Sequence, residues 1–220
     1  MYLHCKKGCH RQGRRYPGGI LAFESTFTKS GGATSTAHRV AAPPGMETAY
    51  HQMVALLPDF GRAPSLEFYD DLHGVGGLFM PADWAIAIGV KDIEGIADSV
   101  LNTRRSELTR IVVELFPSTW NLPRTVRNLT IAAGMGRCAA HELGHAVIYK
   151  GWNNPFAPDQ EAGADYYAGR FDAARRADLR LGEMFFRAIG CTGPTCDHPT
   201  PDIRSRAYVM GYRDQSQRAA

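Results

Sequence analysis

Residues 141–145 read His-Glu-Leu-Gly-His. On a helix, positions i and i+4 share a face, so both imidazoles can reach one metal ion. Glu142 falls about 100° around the helix from His141, where it can meet a metal-bound water rather than the metal. This spacing is a zinc-protease pattern in which the glutamate serves as general base. Two histidines leave zinc short of ligands, because a catalytic site needs a third protein ligand and one position open to water. The run Glu161-Ala162-Gly163-Ala164-Asp165 supplies carboxylates at i and i+4. One can bind the ion, and the other can hold a histidine's second ring nitrogen and fix its tautomer. A bare His-Glu-x-x-His arises by chance in on the order of one per cent of chains this size. Two surface histidines on a solvated helix are therefore the competing interpretation. The helical context, the carboxylate pair and a later His198-Pro199 weigh against it.

These side chains need rigid elements to hold them. Pro123 suits a first helical turn, the pattern continues to Lys150, and Gly151 supplies a stop. Gly134 and Gly136 weaken the middle of this helix and could kink it. Opposite the metal face lie Ala139, Leu143, Ala146 and Val147, small and apolar as a core-facing side requires. A following helix from near Pro158 to about Ala174 puts Glu161 in its first turn, with Ala168 and Asp172 on the carboxylate face. Upstream, a helix is expected from Met46 to Leu57 and a strand from Leu66 to Tyr69. Gly74, Gly76 and Gly77 make a turn. Then Trp84, Ile86, Ile88 and Val90 alternate with Ala85, Ala87 and Gly89, the period of a strand with one large and one small face. A helix beginning at Ile93 or Arg104 and ending at Phe116 follows. Further helices are expected over Leu179 to Ile189 and Asp202 to Tyr212. The class this implies is α+β.

His-Glu-Leu-Gly-His, then Glu-x-x-Ala-Asp, then His198-Pro199 with Arg204 six residues after His198, resembles the gluzincin clan of metallopeptidases. The nearest likeness is to the HtpX-like family and related small neutral zinc metallopeptidases, over about residues 64–210. The resemblance implies a zincin-like domain: a small mixed sheet, an edge strand above the active-site helix, and a mostly helical C-terminal half. It implies one catalytic Zn2+ on His141, His145 and Glu161, Glu142 as catalytic base, and Asp165 supporting a ligand histidine. His198 takes the role of oxyanion stabiliser, with Tyr166 or Tyr167 as the alternative donor. Arg204 either orients Asp165 or a substrate carboxylate, or is a solvated residue of the last helix. In such families an edge strand pairs with the substrate backbone. Gly77-Leu78-Phe79-Met80 is favoured over Trp84 to Val90 for that part, which makes Leu78 and Phe79 substrate-binding residues. HtpX-like proteins carry membrane helices and this sequence shows no comparable run, so membrane-embedded substrates are not implied. The second resemblance is to ImmA/IrrE-like regulatory peptidases, which cleave or bind a partner protein.

Composition narrows the setting. A net charge of +3 is too small to argue for nucleic acid, and the expected partner is a peptide or protein substrate. No apolar run approaches the ~20 residues of a membrane helix, and no apolar stretch of signal-peptide type follows the basic N-terminus. With five cysteines, an odd number, this suggests a cytoplasmic setting. Cys191 and Cys196 could pair, or join His198 in a second zinc site, and His4, Cys5, Cys9 and His10 could form a small knuckle. Cys138 reads as a small buried residue, and His38, His51 and His73 as isolated histidines. Arg170, Arg175, Arg176, Arg180 and Arg187 interleave with acids, the pattern of a solvated surface. Residues 1–45 are expected as a flexible basic tail or linker, 46–212 as the metallopeptidase domain, and 213–220 as a second tail.

Overall fold

A computed structural model describes residues 12–13, 24–28, 34–57, 60–190 and 199–218. In chain order the strands are β1 (Gln12–Gly13), β2 (Glu24–Thr28), β3 (Thr34–Val40), β4 (Ser65–Tyr69), β5 (Gly77–Met80) and β6 (Ala85–Gly89). The helices are α1 (Met46–Val54), α2 (Val90–Leu115), α3 (Leu122–Tyr149), α4 (Gln160–Ala174), α5 (Leu179–Ala188) and α6 (Pro201–Arg218). The class is α+β, with strands in the first half and helices filling the second.

The sheet runs in the order β1-β2-β3-β4-β6-β5. β4 and β6 pair in parallel, from Ser65↔Ala85 to Tyr69↔Gly89. β5 pairs antiparallel with the other side of β6, from Gly77↔Ile88 to Met80↔Ala85, which makes β5 the edge strand and β6 an interior one. The alternation in β6 has the expected consequence. Ile86 and Ile88 enter the main core under the helices. Ala85 and Ala87 face a smaller cluster of Ala37, Tyr69, Leu72, Leu78 and Met80. The strand ends differ from expectation. Trp84 has φ 51 and lies in the preceding turn, held by its indole Nε1 donating to the Arg62 carbonyl. Val90 opens α2 directly after Gly89.

The segment expected as a flexible tail contributes to this sheet where it is described. β3 pairs with β4 through Arg39↔Tyr69 and Val40↔Phe68, and Ala37 is fully buried. His38 N–H adds a bond to the Asp70 carboxylate. Arg39 and Val40 thus cover part of an edge of β4 that would otherwise be unpaired, and Ala37 anchors the strand. The Cys5 and Cys9 cluster with its neighbouring basic residues, and Cys191, Cys196 and His198, lie outside the described residues.

Both proposed starts of the long helix before Pro117 fall within α2, which carries a non-helical break at Arg104 (φ −131, ψ 22). α3 begins where the Asn121 side chain accepts from Arg124 N–H, with Pro123 in its first turn. It runs unbroken through Gly134 and Gly136, where the side chains of Phe185 and Arg175 take the space a β-carbon would fill. α4 starts at Gln160 rather than Pro158 because Asp159 caps it, accepting from Ala162 N–H. Asp178 caps α5 likewise. α6 continues past Tyr212 to Arg218 and packs along α4, so residues 213–218 are helical. Among the described residues, no helix is long and apolar enough to cross a membrane.

Candidate metal centre

α3 and α4 meet at Gly144, between the two motif histidines. A β-carbon there would stand 2.6 Å from the Ala164 carbonyl oxygen and 2.9 Å from Ala164 Cα. Only glycine permits this backbone approach, and the approach brings the short carboxylate side chains of α4 within reach of the α3 imidazoles. Behind the metal face, Ala139, Leu143, Ala146 and Val147 are all fully buried, so α3 is seated firmly.

Three groups converge in front. His141 Nε2 and His145 Nε2 are 3.1 Å apart, their rings nearly perpendicular. Glu161 Oε2 is 3.3 Å from His141 Nε2, and its Oε1 is 3.3 Å from His145 Nε2. His141, His145 and Glu161 form a group that could hold a metal ion.

The outer nitrogen of His141 is fixed from behind. Its Nδ1 lies 2.7 Å from Asp165 Oδ1, which makes Nδ1–H the donor and aims Nε2 forward at the other two groups. Arg204 grips the same carboxylate with two bonds of 2.8 Å, Nε to Oδ2 and Nη2 to Oδ1. Asp165 is fully buried and Arg204 nearly so. Burial alone would raise the Asp165 pKa, but Arg204 and His141 outweigh it and hold the carboxyl below its ordinary value. Burial pulls the other way on His141, yet Asp165 and Glu161 push it up to about 10. The pocket therefore favours a positive charge. Counted formally, Glu142, Glu161 and Asp165 are three buried carboxylates facing one buried guanidinium, an imbalance that a divalent cation matches.

Glu142 is buried beside this group, and its Oε2 has no hydrogen-bond partner among the described residues. A buried carboxylate oxygen left unpaired is costly, and such groups are kept where a water, an ion or a reaction uses them. Gly77 of β5 leaves room for it: a β-carbon there would meet Glu142 Cγ at 3.0 Å and crowd Cys138 Sγ. Glu142 and His145 open onto a cleft of ≈ 260 Å³ whose other walls are Leu78, Phe79, Pro81, Ile148, Tyr149 and Gln160. Leu78 and Phe79, the residues expected on the substrate strand, are thus on the edge strand and beside the site.

Other expectations are corrected. The hydroxyls of Tyr166 and Tyr167 are engaged elsewhere, on Asp214 and on the Asn153 carbonyl, so neither is a spare oxyanion donor. Arg204 is not a solvated residue. Asp172 does not face the metal group: it is fully buried among Tyr208, Arg175 and Arg137. Arg175 accordingly belongs to an interior network rather than to a solvated surface. Cys138 is buried, as expected, and His38, His51 and His73 are exposed.

Four lining residues, Pro81, Ile148, Tyr149 and Gln160, escaped the sequence reading. Tyr149 sits one turn beyond His145, on the face shared by His141 and His145, and that spacing could have revealed it. Ile148 and Gln160 are marked only by the tertiary approach of α3, α4 and β5. Comparison with protein-family models, curated proteins and solved structures returns no match.

Proposed function

We propose that the chain is a zinc-dependent metallopeptidase that hydrolyses peptide bonds with water. One observation carries this: two imidazole Nε2 atoms of one helix stand 3.1 Å apart, and each has one oxygen of the Glu161 carboxylate, from the next helix, at 3.3 Å. A tetrahedral ion with bonds of ~2.0–2.1 Å spaces its ligands roughly 3.3–3.4 Å apart, and two histidines with one glutamate form a catalytic zinc set with a position left for water.

Bound there, a divalent ion lowers the pKa of a water and polarises a carbonyl. The protein's own groups do the rest. Glu142, with a carboxylate oxygen that has no partner among the described residues and a place in the cleft wall, takes the proton of the attacking water and returns it to the leaving amine. Asp165, clamped by Arg204, keeps Nδ1 of His141 protonated and the ring aimed. β5, at the end of the sheet, offers main-chain donors and acceptors to an extended peptide, which gives affinity with little sequence preference.

The test joins metal content to turnover. Purified protein should contain one zinc per chain and digest casein or a peptide library. Glu142→Gln should retain the zinc and lose roughly a hundredfold or more of the activity. Equal digestion by both proteins removes Glu142 as the base. A protein that binds zinc but digests nothing is a binding module, the non-cleaving form of the ImmA/IrrE-like alternative.

A further inference from the structure

We infer that the cleft beside Glu142 and His145 is a side-chain subsite selecting a bulky apolar residue, aromatic above all, next to the bond that is cut. This rests on the peptidase reading and adds its substrate class. At ≈ 260 Å³ the cleft is smaller than the ~300–1,000 Å³ of small-molecule pockets. It therefore fits one side chain of a chain lying across the site, not a whole ligand.

The walls state the chemistry. Phe79, Pro81, Ile148 and Tyr149 are apolar or aromatic, and Gln160 is the one polar wall residue that is not already part of the metal group or its base. Phe79 and Tyr149 meet edge to face at 5.8 Å, and Trp84 backs both at 5.5 and 6.3 Å. Trp84 is itself backed by Phe60. The wall is anchored in the core, while Tyr149 remains 64% exposed at its rim. A ring entering here gains edge contacts with two aromatic faces as well as burial.

Charged side chains fare worse. Glu142, in the cleft wall, repels an acidic residue. Lys150, with Nζ 4.6 Å from the Trp84 ring centre, places a positive charge behind the rim against a basic one. Position along the strand supports the same assignment. Gly77 lies over Cys138 and Glu142, whereas Phe79, two residues on, lies against Tyr149. A peptide paired along β5 would thus reach the base and the cleft with neighbouring residues.

The experiment uses short fluorogenic peptides, identical except for Phe, Leu, Ala or Glu at one position beside the cut bond. With the zinc-loaded protein, Phe and Leu peptides should show kcat/KM roughly ten- to a hundredfold above Ala, and Glu should fall below Ala. Tyr149→Ala should narrow the Phe/Ala ratio about tenfold with zinc content and melting temperature unchanged, and Tyr149→Phe should restore it. In a second arm, fluorescence anisotropy follows the same labelled peptides binding to zinc-loaded Glu142→Gln, and the order of affinities should match. Equal turnover and equal binding of Phe and Ala peptides overturns the subsite. A Tyr149→Phe variant as impaired as Tyr149→Ala also overturns it, since the tyrosine would then act through its hydroxyl. If no peptide is cut yet the binding order holds, the peptidase reading fails and the cleft assignment stands.

Discussion

Arg204 and Asp165 show how much of the site depends on residues that would never touch a metal. Arg204 makes two bonds to one carboxylate, a planar fork that lysine cannot reproduce. Arg204→Lys should therefore weaken metal binding by roughly ten- to a hundredfold by loosening Asp165 and, through it, His141. Arg204→Ala should do more, because it leaves a fully buried Asp165 without its cation, a change worth ~3–5 kcal/mol of stability. Competition with a chromophoric chelator measures the first effect and urea unfolding the second. Unaltered zinc affinity in Arg204→Lys would refute the positioning role. At this scale the sequence was informative where residues are close along a helix: i, i+4 spacing pairs His141 with His145 and Glu161 with Asp165, while the choice of Glu161 as ligand and Asp165 as support for a ligand histidine came from the family resemblance. Arg204 could be placed only as one of two alternatives, because 39 residues separate it from Asp165 and spacing has no hold over that distance. Arg137 gave no signal at all. An arginine on an apolar helix face looks solvated until Asp172 is found beside it.

At the scale of elements, the decisive contact is backbone on backbone. Gly144 lets α3 lie against Ala164 of α4, and neither partner atom is the end of a flexible side chain that could swing aside. Gly144→Ala should force the helices apart, costing ~1–3 kcal/mol of stability and lowering zinc affinity, although alanine favours helix more than glycine does. Gly95 in α2 provides the opposite sign: a β-carbon there meets nothing within 4 Å, so Gly95→Ala should stabilise by about 0.4–1 kcal/mol. Thermal melts of the two variants, with zinc titrations, check both. If Gly144→Ala melts higher and binds zinc normally, close approach is not what sets the site. Helices and the two faces of β6 were legible because burial imposes a period. The ends were not: Trp84 leaves the strand for a left-handed turn, and Val90 begins a helix with no break. β3 was missed for a related reason. Its deeply buried residue is Ala37, and its hold on β4 is long-range pairing that no local pattern announces. The far end of α6 was missed because it is polar and follows no apolar stripe.

For the whole molecule, the candidate centre lies where α3, α4 and α6 come together, with β5 over its open side. Residues from 141 to 204 are tied into one spot, so what happens at that spot is felt across the helical half. The three buried carboxylates outnumber the one guanidinium there. Removing a divalent ion leaves that imbalance to be met by protons or water, at the expense of the folded state. An ion present at about a hundred times its dissociation constant contributes ~2.7 kcal/mol to folding. A chain of this size changes its melting temperature by ~2–4 °C for each kcal/mol. Chelation should then lower Tm by roughly 5–10 °C, and zinc added back should restore it. Glu142→Gln should show the same chelation-dependent drop, because the base is not a ligand, whereas Glu161→Gln should melt with little response to either treatment. Hydrogen exchange should find the loss of protection concentrated in α4 and α6, with the strands β4 and β6 little changed. A Tm indifferent to chelation, in protein shown to have lost bound metal, would mean that the centre is an accessory to the fold rather than a tie within it.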